Sequence, residues 1–236
     1  MEHQLGPNSC DYTLPSKPVR VIPRNRRSVT GFLSWRGQQS VQYESPLERD
    51  FLVRQEFSLA VAQVISQPCV VPFATRSGRA SQYTPDFLVV YRADSSPLKF
   101  QRRPMLVEVK PEAEWREHWR EWLTKWKAAR RYAASQGWIF RILDESRIRT
   151  QALSNIEFLR RYRNSAYSIE EGDWIVNSVR EMGAASFDYL LAKHFPGIYA
   201  AEGIGHLWSL LASRRLDCDI CLPLNGETEL WVPDEA

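Results

Sequence analysis

The sequence predicts an α/β chain: a mixed β-sheet flanked by helices, followed by a small unit of short helices and a hairpin that reads as winged-helix-like. Three observations carry this. Residues 83–90 and 106–110 contain short Val- and Leu-rich runs bounded by turn signals, the mark of buried strands. Residues 112–136 carry Trp115, Trp119, Trp122 and Trp126 at i, i+4, i+7 and i+11, a helical stripe, and a further apolar run follows at 138–143. From about Ile169 the pattern shortens into small amphipathic helices and two alternating runs.

Taken in order, residues 1–27 are Pro-rich and polar and end in Arg24-Asn25-Arg26-Arg27, which reads as a basic N-terminal arm. Residues 29–35 and 39–43 read as a hairpin around Arg36-Gly37-Gln38. The first helix starts at Ser45-Pro46-Leu47-Glu48. Ser is a good N-cap, Pro fits the first helical position, and Glu three residues after Ser completes a capping box. Leu47, Phe51, Leu52 and Leu59 form its apolar side. Residues 61–65 and 69–73 read as strands split by Ser66-Gln67-Pro68. The next two strands hold Asp86 and Glu108, with the polar turn Ala93-Asp94-Ser95-Ser96-Pro97 between them.

The long helix at 112–136 ends at Gly137, a residue suited to a helix terminus. In the last third, residues 187–191 and 200–212 read as helices, the second with Ile204, Leu207, Trp208 and Leu211 inward. Residues 216–222 and 229–232 read as a hairpin across Pro223-Leu224-Asn225-Gly226. The expected domains are therefore the arm 1–27, a mixed-sheet domain 28–165 and a winged-helix-like C-terminal domain 166–236.

The chain of 236 residues carries no run of 18 apolar residues and no apolar leader at its start, so a cytoplasmic protein without membrane spans is expected. Its formal net charge of +3 hides an asymmetry. Residues 1–163 hold 27 basic and 16 acidic side chains, a net +11, whereas residues 164–236 hold 4 and 12, a net −8. A basic lobe attracts nucleic-acid phosphates, and an acidic lobe suits a protein partner. Arg24, Arg26, Arg27, Arg102 and Arg103 are the candidate DNA contacts.

Carboxylates are rare in strands this apolar. Glu108 and Lys110 are two apart and so share a face of their strand, while Asp86 opens a neighbouring one. Two carboxylates and an amine brought together make a site for a divalent metal, with chemistry suited to phosphodiester hydrolysis. Cys218-Asp219-Ile220-Cys221 lacks suitably spaced further ligands for zinc.

Together, Arg26-Arg27-Ser28-Val29-Thr30-Gly31, Tyr43-Glu44-Ser45-Pro46-Leu47-Glu48-Arg49-Asp50-Phe51, Gln67-Pro68, Tyr83-Thr84-Pro85-Asp86-Phe87 and Leu106-Val107-Glu108-Val109-Lys110-Pro111 resemble the TnsA family of transposon endonucleases. The resemblance runs from about residue 24 to 143 and implies a restriction-endonuclease-like fold. It implies catalytic residues Glu48, Asp86, Glu108 and Lys110, the three acids also binding metal, with Mg²⁺ as cofactor and Mn²⁺ able to substitute. Glu48 thus has two competing readings, helix cap and catalytic acid. The resemblance further implies cleavage of the non-transferred strand at the 5′ ends of a transposon. Its partners would be double-stranded DNA, a DDE transposase (TnsB) and an AAA+ ATPase (TnsC) docked on the C-terminal domain. A stand-alone restriction or repair nuclease and an inactive DNA-binding adaptor are the alternative readings.

Overall fold

A computed structural model of the chain describes residues 14–15, 18–19, 29–93 and 101–233. The chain divides into two compact units, residues 1–145 and 146–236.

In the first unit, β1 (Gly31–Trp35) and β2 (Gln39–Tyr43) form an antiparallel hairpin. Its turn takes Arg36 and Gly37 to φ values of 47° and 72°, a left-handed pair that matches the natural twist of a hairpin. The Arg36 guanidinium then donates to the carbonyls of Glu56 and Ser58, capping the C-terminal end of α1 (Pro46–Phe57). Four strands make the main sheet, in the order β3 (Val61–Ser66), β6 (Phe87–Tyr91), β7 (Met105–Val109) and β8 (Ile139–Leu143). The first three pair antiparallel and the last pair, β7 with β8, is parallel. The mixed sheet expected from the sequence is therefore present, consistent with a restriction-endonuclease-like fold.

Alternation along the central strands splits their side chains between two layers. Phe87 faces α1, where its ring stacks on Phe51 at 5.3 Å between centroids. Leu88 and Leu106 face the other way, into a cluster with Cys69, Val71, Tyr83, Trp126, Ala129, Ala133 and Trp138. Trp126, Ala129 and Ala133 belong to α2 (Glu112–Ser135), the 24-residue crossover that makes the parallel β7–β8 pairing possible. Gly137, with φ 73°, ends α2 as expected. The tryptophan stripe divides: Trp126 is buried and Trp115 and Trp122 pack at the edge of the cluster, whereas Trp119 is exposed.

The strand expected over 69–73 is β4 (Val71–Ala74), paired with β5 (Ala80–Tyr83) in a separate two-stranded sheet. The run 83–90 begins on the last residue of β5 and continues into β6. The break falls at Thr84-Pro85-Asp86, where proline has no N–H for a ladder.

The second unit holds α3 (Glu145–Ile148, beginning at the boundary), α4 (Gln151–Arg160), α5 (Ile169–Met182), α6 (Phe187–His194) and α7 (Ala200–Ala212). Its core gathers Ile156, Leu159, Val179, Leu190, Leu207 and Leu211, with Phe187 stacked on Trp208. The boundary lies before α4, earlier than the expected 165/166, because α4 packs on α7: Phe158 meets the Trp208 ring edge-on at 5.4 Å. The hairpin expected over 216–232 is corrected. β10 (Glu229–Trp231) pairs with β9 (Ala184–Ser186), and the 216–222 segment contributes one bridge, Asp217 to Trp231. Asn155 explains the rest, since its amide binds the carbonyls of Ile220 and Leu222 and holds that segment as turns. Ile204, expected inward, is exposed. Among the described residues, no helix is long and apolar enough to cross a membrane.

Burial pushes the thiols of Cys69 and Cys218 up to about 11 and about 12, while Cys221 is exposed. Thiolate is the reacting form, so the two buried groups are almost wholly protonated at pH 8. Iodoacetamide at pH 8 is expected to label Cys221 in the native protein and to reach Cys69 and Cys218 only after unfolding. Peptide mass spectrometry reads the outcome, and rapid native labelling of Cys69 would contradict this burial.

Candidate active site

Three segments that leave the main sheet at one end bring the site together. β7 ends in Glu108 and Val109, Asp86 immediately precedes β6, and Lys110 follows β7. The Lys110 N–H donates to the Leu143 carbonyl at 3.0 Å, so the ladder with β8 continues one residue beyond the strand and fixes the Lys110 backbone.

Asp86 is clamped from both sides. Its carboxylate Oδ2 accepts the Val109 N–H at 2.7 Å, and its carbonyl accepts the Gln67 N–H at 2.7 Å. Gln67 has φ 46°, the left-handed region, which a non-glycine residue enters only when its surroundings enforce it. Asp86 Oδ1 accepts no hydrogen bond among the described residues. Burial, then the negative charge of Glu108, holds the Asp86 carboxyl well above the ordinary aspartate range; Lys110 and the Val109 N–H only partly offset this.

Glu108 is 1% exposed, yet it carries a carboxylate on a strand whose neighbours are sealed in the core. Its Oε2 accepts the Tyr83 hydroxyl at 2.5 Å. Its Oε1 faces two ammonium groups, Lys125 Nζ at 3.6 Å and Lys110 Nζ at 3.8 Å. Burial on its own would lower Lys110, but Asp86, Glu108, Glu114 and Glu48 together outweigh it, so Lys110 sits above the ordinary lysine value and is an ammonium at neutral pH. A permanently charged lysine is a stabiliser of negative charge, not a general base.

Glu48 is brought near but differently engaged. The cap forms with its return bond one residue early: Ser45 Oγ accepts the Glu48 N–H at 3.1 Å and donates to Glu48 Oε1 at 3.0 Å, and Glu48 Oε2 accepts the N–H of Glu44, which precedes the N-cap, at 2.8 Å. Both carboxylate oxygens therefore serve the start of α1. Burial raises the Glu48 carboxyl, its own hydrogen bonds and the Lys110 charge pull it back, and its charge in turn reaches Asp86. By strand alternation Glu108 shares the α2 side of the sheet with Leu106, whereas α1 packs against the Phe87 side. Glu48 thus approaches from the opposite layer. Accordingly, among the described residues no three His, Cys, Asp or Glu side chains gather closely enough to hold a metal ion.

The donor set nonetheless fits a hard divalent cation held by two carboxylates. Asp86 offers an unengaged oxygen, and the adjacent Asp86 and Glu108 charges oppose each other, a repulsion that a cation relieves.

Of the other sequence candidates, Arg24, Arg26 and Arg27 lie outside the described residues. Arg102 and Arg103 are exposed and precede β7, so they sit at the opposite end of that strand from Glu108. Arg102 lies 5.8 Å from the Tyr91 ring centroid. Two residues of the site were not singled out from sequence: Tyr83, read only as the start of a strand, and Lys125, which lies within the helix expected over 112–136. The i, i+3 offset of Lys125 from Trp122 and its adjacency to buried Trp126 were the available signal for the latter.

A family model described as TnsA-like endonuclease N terminal matches residues 58–145, and one described as TnsA endonuclease C terminal matches residues 147–220. Asp86, Glu108, Lys110 and Lys125 fall within the first match; Glu48 precedes it. No curated protein matches the chain.

The two demands on Glu48 are separable by substitution. Glutamine serves the same capping box, so Glu48→Gln is expected to stay within about 0.5 kcal/mol of the parent stability. Glu48→Ala loses both bonds and is expected to cost about 1 kcal/mol. Urea unfolding followed by circular dichroism checks both; equal losses in the two variants would show that the box contributes nothing.

Proposed function

Because the chain belongs to the TnsA endonuclease family, we propose that it is the metal-dependent DNA endonuclease subunit of a cut-and-paste transposase, hydrolysing the non-transferred strand at the 5′ ends of the transposon. The observation that carries this reading is the Asp86–Glu108–Lys110 cluster at one end of the sheet, a buried carboxylate and a half-buried one with an ammonium 3.8 Å from the first. Buried charge of this kind is costly unless it is used.

Asp86 and Glu108 would hold Mg²⁺, with Mn²⁺ substituting, and Glu48 would complete the set through water or by leaving its cap. A bound divalent cation supplies Lewis acidity toward a phosphodiester and makes water a nucleophile near neutral pH. The chain's own residues do the rest. The Val109 N–H fixes which Asp86 oxygen stays inward, leaving Oδ1 for ligation. Lys110, charged at neutral pH, orients the attacking water or stabilises the negative charge that builds on the phosphorane oxygens. The Tyr83 hydroxyl holds Glu108 Oε2, so the carboxylate presents Oε1 toward the amines.

The charge asymmetry supports the partner assignment. Residues 1–163, net +11, would meet duplex DNA together with a DDE transposase (TnsB) acting at the 3′ ends. Residues 164–236, net −8, would repel DNA and instead dock an AAA+ ATPase (TnsC).

The test is strand-specific cleavage of an end-labelled duplex bearing the transposon end, with the partner transposase and Mg²⁺ present. Asp86→Ala and Lys110→Ala are expected to lose cleavage on the order of 10²-fold or more, with circular dichroism unchanged. Glu48→Gln is expected to lose cleavage while keeping its stability. Undiminished cleavage by both Asp86→Ala and Lys110→Ala would sink this assignment.

A further inference from the structure

Lys125 lies where a second cation would. Its Nζ is the nearer of the two amines to Glu108 Oε1, at 3.6 Å against 3.8 Å for Lys110. It comes from α2, an element that contributes nothing else charged to this carboxylate. Its ammonium is also faced by aromatic rings, with centroids at 4.5 Å for Trp122, 5.0 Å for Tyr83 and 5.9 Å for Trp126. Trp122 and Trp126 are on α2, but Tyr83 ends β5, so this box is a product of the tertiary fold and not of helical spacing alone.

A lysine on the surface of a helix ordinarily extends its head to solvent. This side chain is only 19% exposed and turns inward between three rings and a carboxylate. Cation–π attraction and the charge of Glu108 together reward that placement. The same geometry makes Lys125 a competitor. Tyr83 occupies Oε2, so a divalent ion would take Glu108 through Oε1, the oxygen that both amines face.

We propose that Lys125 is a positioning residue that stands in the cation place beside Glu108 Oε1 in the metal-free protein and gives it up when a divalent ion binds. This rests on the reading of Glu108 as a metal ligand. Lys125 compensates the buried charge of Glu108 until a divalent ion does so. Its four-carbon stem lets the ammonium swing away without movement of α2.

The experiment is Mn²⁺ titration by calorimetry on the full chain, comparing the parent with Lys125→Met, Lys125→Gln, Lys125→Arg and Asp86→Ala. The two neutral variants are expected to bind Mn²⁺ on the order of tenfold more tightly, the size of one screened charge–charge repulsion at this range. Lys125→Arg, which restores the charge, is expected to return to within about twofold of the parent value. Without metal, both neutral variants are expected to unfold at lower temperature, and saturating Mn²⁺ to recover that loss. Binding only in the neutral variants and not in the parent would support the proposal equally. Neutral variants that bind Mn²⁺ no better than the parent, while Asp86→Ala abolishes binding, would overturn the role of Lys125 and leave the metal site standing. Binding unaffected by Asp86→Ala, or absent from every protein, would overturn both.

Discussion

Glu108 interrupts a strand that is otherwise sealed. Leu106 and Val107 before it and Val109 after it are buried, so its carboxylate cannot be relieved by water. The charges and donors that relieve it come from three places: Lys110 from the end of its own strand, Lys125 from α2 and the Tyr83 hydroxyl from β5. Each of these elements is held for that purpose by something further out. Lys110 is tied to Leu143, and α2 starts where Glu145 accepts the Glu112 N–H and Asp144 accepts the Trp115 indole. The residues just after β8 thus set the height of the helix that carries Lys125.

Much of the first unit was legible because its signals are local. The capping box at Ser45 and Glu48, the turn at Arg36-Gly37 and the Gly137 stop each follow from backbone chemistry within a few residues. The Glu108–Lys110 pairing was legible for the same reason, since strand alternation places both on one side. What resisted reading was long-range. Tyr83 meets Glu108 across 25 positions and Lys125 meets it from another element, and no spacing rule announces either. β5 was hidden because Ala80-Ser81-Gln82-Tyr83 is short and largely polar. In the second unit the 216–222 segment alternates like a strand, but Asn155, more than 60 positions earlier, captures its carbonyls. Periodicity reports which residues prefer burial, not which backbone groups find a partner.

Glu48 links the start of α1 to the charges of the site. As a cap it satisfies the Glu44 N–H and Ser45 hydroxyl; as a charge it is felt by Asp86 and Lys110. The two uses compete for the same oxygens. On the proposed reading, a Glu48 that left its cap would make the first turn of α1 part of the site, while the Arg36 clamp at the other end of that helix holds the rest of it in place.

The parallel partnership of β7 and β8 bears on synthesis. A parallel pair cannot close until the intervening crossover, here the whole of α2, has been made. Asp86, Glu108 and Lys110 all leave the ribosome before the strand that anchors Lys110 and before the acidic residues that start α2 correctly. A nascent chain that ends short of β8 therefore carries the acids without the frame that aligns them. The order of the chain thus delays assembly of the Asp86–Glu108–Lys110 cluster until β8 has emerged and the first unit is nearly complete.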